Sequence, residues 1–253
     1  MIRLDSVTKT FGTGPSALED LTLFIDKGEF VFLVGPSGSG KTTFLRLLIR
    51  EMLPTSGSIY VSDLDIVKLP TSKVPHLRKK IGVVFQDLKL LADRTILENV
   101  LLPLEMVNMG HKEAVGRVEN ILEQVGIYDH KDKFPIQLSG GELQRAAIAR
   151  ALVFSPDIIL ADEPTGNLDM TTSWEIVKLL QEINKDGTTV IMATHNNDIV
   201  SSLLKRVITL EKGKLVGDNK KITKKAEEKS EKSEDKKETE EEKEKPSEEE
   251  NKK

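Results

Sequence analysis

Three short stretches of this chain combine the residue types that chemistry on a phosphate requires. The first is Gly35-Pro36-Ser37-Gly38-Ser39-Gly40-Lys41-Thr42, followed by Thr43. It fits the pattern G-x-x-x-x-G-K-[ST]. Its glycines let backbone N–H groups converge on an anion, and a helix starting at Lys41 adds the positive end of its dipole. Lys41 supplies a charge for β- and γ-phosphates, and Thr42 a hydroxyl for Mg2+. The second stretch is Asp162-Glu163, two carboxylates that close the apolar run 158–161. Neighbours on a strand point to opposite faces, so the two are expected to divide their work. Asp162 would face the metal. Glu163 would sit nearer the γ-phosphate and polarise the attacking water. The third is Leu138-Ser139-Gly140-Gly141-Glu142, ahead of a run rich in alanine (Ala146, Ala147, Ala149, Ala151). Ser139 is a good helix N-cap, and the paired glycines bare the backbone. This is a second anion-binding helix start, which invites the reading that it serves a neighbouring molecule's nucleotide.

These residues need a scaffold, and the pattern of apolar residues predicts one. Residues 1–34 read as strands, with 21–25 as one and 30–34 as another that is apolar on both faces. A strand without alternation belongs inside a covered parallel sheet. A helix is expected over about 41–52, directly after the glycine-rich loop, and a short strand over 81–85. From Asp87 to Pro135 apolar residues recur at helical spacing, as in Ile96, Val100 and Leu104, then Val118, Ile121, Leu122 and Val125. This predicts a mostly helical subdomain inserted into an α/β body and running into a helix over about 139–155. Strands are predicted again at 158–161, 188–193, 206–210 and 214–216, with a helix over about 172–184 between the first two.

Composition sets further bounds. The chain has 253 residues, a net charge of −4 and no cysteine. The charge balance lacks the basic footprint of a nucleic-acid binder, and without cysteine there is no disulfide or thiolate metal site. No signal peptide is visible, and no apolar run approaches the ~20 residues of a spanning helix. A membrane role is therefore expected to be peripheral, on the cytoplasmic face and through a partner. Residues 220–253 carry 12 Lys and 13 Asp or Glu with almost nothing apolar, so a disordered tail is expected beyond a folded domain over 1–219. Lys220, Lys221, Lys224 and Lys225 would suit anionic lipid at about 1 kcal/mol each. The 13 acidic and 6 basic residues that follow over 227–250 would be repelled by the same surface, which favours a solvated tail.

The order of phosphate loop, Gln86, Leu-Ser-Gly-Gly-Glu, Asp162-Glu163, the run Gly166-Asn167-Leu168-Asp169 and His195 resembles that of the ATP-binding-cassette (ABC) ATPases. The resemblance spans nearly all of 1–217. It implies an α/β phosphate-loop NTPase fold with N-terminal antiparallel strands, a parallel core sheet and an inserted helical subdomain. It also implies an ATP- and Mg2+-dependent ATPase that dimerises head to tail on ATP. Ser139, Gly140 and Gly141 would then act on the partner protomer's nucleotide. Gln86 would touch the metal and the water, Asp169 would couple the two sites, and His195 would contact the γ-phosphate. Phe11 would stack on adenine, where the family more often has Tyr. Glu142 stands where Gln is usual, which implies an altered contact to the ribose. The remaining histidines (His76, His111, His130) read as solvated.

Two segments narrow the resemblance. The run from Val84 to Leu91 and the segment Thr172-Ser173-Trp174-Glu175-Ile176 are similar to those of the FtsE cell-division ATPases. The implied partner is an FtsX-like integral membrane protein, moved mechanically to regulate cell-wall hydrolases. Its docking groove would lie around 88–94 and the helix starting near Thr95. An ATPase subunit of a lipoprotein-release or macrolide-export transporter fits the same motifs.

Overall fold

The structure, a computed structural model, describes residues 1–107 and 109–220. The tail expected beyond residue 219 lies outside the described residues except for Lys220. Lys220 itself is tied to the folded body. Its Nζ is 2.8 Å from Asp26 and 3.7 Å from Glu29, and it lies over the Phe24 ring.

Two sheets build the body. The strands are β1 (Ile2–Thr10), β2 (Ser16–Ile25), β3 (Phe30–Val34), β4 (Ser56–Val61), β5 (Leu64–Asp65), β6 (Ile81–Val84), β7 (Ile158–Asp162), β8 (Thr189–Ala193), β9 (Arg206–Glu211) and β10 (Lys214–Asp218). The four-stranded sheet, in the order β2-β1-β4-β5, is antiparallel. The six-stranded sheet runs β10-β9-β3-β8-β7-β6, parallel except for the antiparallel edge strand β10. The helices are α1 (Lys41–Leu48), α2 (Val74–Lys79), α3 (Ile96–Glu105), α4 (His111–Gln124), α5 (Gly140–Leu152), α6 (Met170–Lys185) and α7 (Asn197–Ser202). Thus α3, α4 and α5, which pack on one another, lie between β6 and β7 in the chain. Among the described residues no helix is long and apolar enough to cross a membrane.

The central strands β3, β7 and β8 are buried along almost their whole length because helices or the second sheet cover both of their faces. Phe30, Phe32, Ile159, Ala161, Val190 and Met192 enter one core with α3–α6. Their alternates Val31, Leu33, Ile158, Leu160, Ile191 and Ala193 enter a second core with α1, α2 and the antiparallel sheet. Trp174 packs against the first core. Helix α1 stops earlier than its apolar pattern suggests, because Arg50 takes a left-handed φ of 50° and Pro54 follows.

One consequence of parallel topology positions everything that follows. The C-terminal ends of β3, β8, β7 and β6 lie along one edge of the sheet, with Leu33 beside Ala193, Ala193 beside Asp162, and Ala161 beside Val84. Ligands of open α/β sheets bind at that edge.

Candidate active site

The residues that leave that edge line one cleft of about 740 Å3 (the loop from Pro36 to Thr43, Gln86, Asp162, Glu163 and His195), and Ala17 of β2 joins them from the antiparallel sheet. Two glycines of the loop after β3 leave no room for a side chain. Gly40 caps α1 at φ 107°, and a Cβ there would stand 2.5 Å from the Ala17 carbonyl. At Gly35 a Cβ would meet the Leu210 carbonyl at 2.1 Å. No side chain caps α1, so the N–H groups of its first turn face the cleft without a side-chain acceptor. Lys41 is nearly buried, and its Nζ donates to the carbonyls of Gly35 at 2.7 Å and Pro36 at 3.3 Å. Ser39 Oγ is buried with no partner. Uncapped helix donors, a buried ammonium and an orphaned hydroxyl make a cradle suited to a polyphosphate.

Both carboxylates face this cleft. Strand alternation would separate them, but β7 ends at Asp162 and Glu163 turns left-handed at φ 50°, which swings its side chain into the same space. Its backbone N–H donates to Ala193 at 2.9 Å. Glu163 Oε2 is 2.9 Å from His195 Nδ1, and Oε1 is 4.0 Å from Lys41 Nζ. Asp162 is buried and bonded to the Thr42 side chain. Burial pushes its carboxyl above the usual carboxylate range.

A second groove, of about 410 Å3, adjoins the cleft and is lined by residues such as Leu45, Val83, Phe85 and Lys89. Three residues are common to both walls: Thr42, Gln86 and Asp162. They are the three that the sequence singles out for a metal. Among the described residues no group of three or more His, Cys, Asp or Glu is placed to hold a metal ion. A hydroxyl, an amide and one desolvated carboxylate suit a Mg2+ that takes its other ligands from phosphate and water.

The remaining predicted residues lie elsewhere. Ser139 caps α5 in a reciprocal box: Glu142 Oε2 accepts from Ser139 N and Oγ, each at 2.7 Å. Glu142 Oε1 is 2.9 Å from His130 Nδ1. These bonds to Ser139, and then the charge of His130, hold the Glu142 carboxyl below its ordinary pKa. His130 is therefore a partner of the Ser139 turn, whereas His76 and His111 are exposed as expected. Gly140 and Gly141 let the start of α5 lie against Leu168 and Thr172, and a Cβ on Gly141 would meet Thr172 at 2.5 Å. Asp169 caps α6 by accepting from Thr172 N at 3.0 Å, and its bonds to Thr172 lower its pKa. The Ser139 turn does not line its own chain's cleft. Phe11 follows β1, is half-exposed beneath Lys9 and also lies off the cleft wall.

Sequence reasoning missed Ala17, whose carbonyl abuts Gly40, and two loop-holding side chains. Buried Asn99 accepts from Leu91 N at 2.7 Å and donates to the carbonyls of Leu91, Arg94 and Thr95. Arg150 donates to the carbonyls of Leu88 and Lys89. Both bond to backbone oxygens, which every residue carries, so no sequence signal marks them.

The family model for ABC transporters matches residues 18–166, across both the phosphate loop and the carboxylate pair. The chain belongs to the ABC transporter family. The cell division ATP-binding protein FtsE of Bacillus subtilis (strain 168) is 48% identical over 218 residues, covering 86% of this chain and 96% of that protein. The FtsE of Mycobacterium tuberculosis is 51% identical over 223 residues, with 87% and 96% covered. The dimeric post-hydrolysis state of the ATP-binding cassette MJ0796, bound to ADP and Pi, superposes with a TM-score of 0.78 at 39% identity. It covers 86% of this chain and 97% of that one. The cassette is an ABC ATPase, and its α/β architecture is that of these solved cassettes.

Proposed function

We propose that this cassette is the ATP-hydrolysing subunit of an FtsE-like membrane complex. It dimerises on ATP and moves an FtsX-like integral membrane partner during cell division, which regulates cell-wall hydrolases on the far side. The observation that carries the reading is the match to FtsE proteins of 45–51% identity over 96–98% of their length. The shared wall of Thr42, Gln86 and Asp162 supports it, because whatever fills the nucleotide cleft also bears on the neighbouring groove. Leu91, two residues on from Lys89 of that groove, is 40% exposed, whereas Leu88 and Leu90 pack on the core. A partner's helix would dock there.

In this reading Lys41 exchanges loop carbonyls for the β- and γ-phosphates. Backbone N–H groups of 37–43 hold the remaining phosphate oxygens, and Phe11 stacks on adenine. Thr42, Gln86 and Asp162 would hold Mg2+, which would supply charge neutralisation at the phosphates. Glu163 takes a proton from the water that attacks the γ-phosphorus as the bond to ADP breaks. His195, already bonded to Glu163, contacts the γ-phosphate. The twin's Ser139, Gly140 and Gly141 close over the same phosphate, and Asp169 links the two sites.

Affinity capture of the full chain from gently solubilised membranes tests the assignment. The expected companion is a four-helix membrane protein with a large external domain. Recovery of a substrate-loaded permease of the lipoprotein-release or export type would contradict it.

A further inference from the structure

Gln86 lies inside a tight turn. Leu88 N donates to Phe85 O at 3.1 Å, and Leu88 and Lys89 follow with φ of 54° each. Two successive non-glycine residues in the left-handed region are strained, and such a turn persists only where its surroundings hold it. The holding group is Arg150, in the last turn of α5. Its Nη1 donates to Lys89 O at 2.6 Å and its Nη2 to Leu88 O. The guanidinium fork thus grips both strained peptides at once. Burial pulls its pKa below the ordinary arginine value, and Asp87 supplies the opposing charge. Arg150 is itself anchored where it can act as a reference point. The neighbouring Ala151 carbonyl presses on β6, where a Cβ added to Gly82 would stand 2.4 Å from it. The strand under Arg150 is therefore the strand that runs into Gln86.

We propose that Arg150 is a positioning residue for Gln86: its guanidinium holds the turn after β6 in its left-handed form and so fixes where the Gln86 amide stands on the cleft wall. The proposal rests on the reading of Gln86 as a contributor to metal and water placement. Arg150 does not line the cleft. It acts only through the turn, and the phosphate cradle is independent of it. It also lies on the helix that Ser139 caps, so the Gln86 turn and the Ser139 turn share one rigid element.

The test is a double-mutant cycle on steady-state turnover of the full chain, with Arg150→Ala, Arg150→Lys, Gln86→Ala and the combined variants. ATP affinity, Mg2+ dependence and thermal unfolding are followed alongside. Arg150→Ala is expected to lower kcat about 10- to 100-fold, as misplacement of a positioning group does. ATP affinity should stay within about twofold, because no cradle contact changes, and half-saturating Mg2+ should rise. In the Gln86→Ala background the same substitution should cause no further loss, since groups that act as one unit are not additive. Arg150→Lys keeps the charge and loses the fork. It should lie between wild type and Arg150→Ala, and it carries the cycle if the alanine variant does not fold. Equal fractional losses in the two backgrounds, with Gln86→Ala itself impaired, would sink the proposal and leave the role of Gln86 standing. Wild-type turnover in Gln86→Ala would overturn both.

Discussion

In the proposed function Lys41 grips phosphate, and its ammonium is held nearly buried with two hydrogen bonds to loop carbonyls. Lys41→Ala should weaken ATP binding by ~1.5–3 kcal/mol, the value of a charge-assisted phosphate contact. Equilibrium titration with a fluorescent nucleotide measures it, and wild-type affinity in the variant would contradict the site. Asp162 makes the opposite trade. Its raised pKa means that the folded apo-protein holds the carboxyl proton more tightly than the unfolded chain does. Its contribution to stability is complete below the unfolded carboxylate pKa and is lost as pH rises through the raised value. Asp162→Asn keeps the shape without the buried charge. Urea unfolding without nucleotide should find the variant at least as stable as wild type at pH 7, with the gap closing at pH 4, while Mg2+-dependent turnover disappears. A variant less stable at pH 7 than at pH 4, relative to wild type, would argue against a desolvated anion. The residue scale is also where the sequence was most legible. Lys41, Thr42, Asp162 and Glu163 lie in contiguous runs whose chemistry shows without a fold. The left-handed turn at Glu163 and the pairing of His130 with Glu142 did not show, because the first is a backbone choice and the second joins distant segments.

At the scale of elements, the buried parallel strands were readable because both faces must be apolar; the runs 30–34, 81–85, 158–161, 188–193, 206–210 and 214–216 became strands to within two residues, whereas the run 21–25 is only the second half of β2. The strand β4 and the short helices α2 and α7 were not read. β4 begins Ser-Gly-Ser, and each helix has only six residues, too few for a periodic pattern to emerge. The C-terminal hairpin is fastened by a group that the sequence gives no reason to single out. Arg206, 3% exposed, bonds Asp218 at 2.9 and 2.8 Å and Glu29 at 2.7 Å, and so ties β9 and β10 to the residue that leads into β3. Arg206→Ala should cost about 3 kcal/mol, the low end for breaking a buried ion cluster, because both acids keep contact with water. The bonds from Arg206 depress the Asp218 pKa. That contribution is present above the unfolded carboxylate pKa and is lost as pH falls through the depressed value, so the variant should show a shallower acid limb in its stability profile. An unchanged melting temperature would remove the hairpin clamp from the account.

For the whole molecule, the decisive feature is that one chain carries two glycine-bearing helix starts, at α1 and α5, that do not share a cleft. The start of α1 opens into the cleft with Lys41, Asp162 and Glu163, whereas that of α5 packs on Leu168 and Thr172 beside the Asp169 cap. In the proposed function, the Ser139 turn meets a phosphate only when a second copy in head-to-tail register supplies one. Resemblance at the level of sequence implied this dimer; composition and periodicity did not, because an interface completed by a ligand leaves no apolar stripe to read. The same logic predicts that assembly follows nucleotide occupancy. Hydrolysis has to be stopped for the closed form to accumulate, and Glu163→Gln should do so while keeping the size of the side chain and the phosphate cradle. Light scattering on size-exclusion chromatography of the Glu163→Gln chain with ATP and Mg2+ is therefore the most direct measurement. A mass of two chains that reverts to one when ATP or Mg2+ is withdrawn is the predicted result; a single-chain mass at saturating ATP and Mg2+ would contradict the sandwiched site.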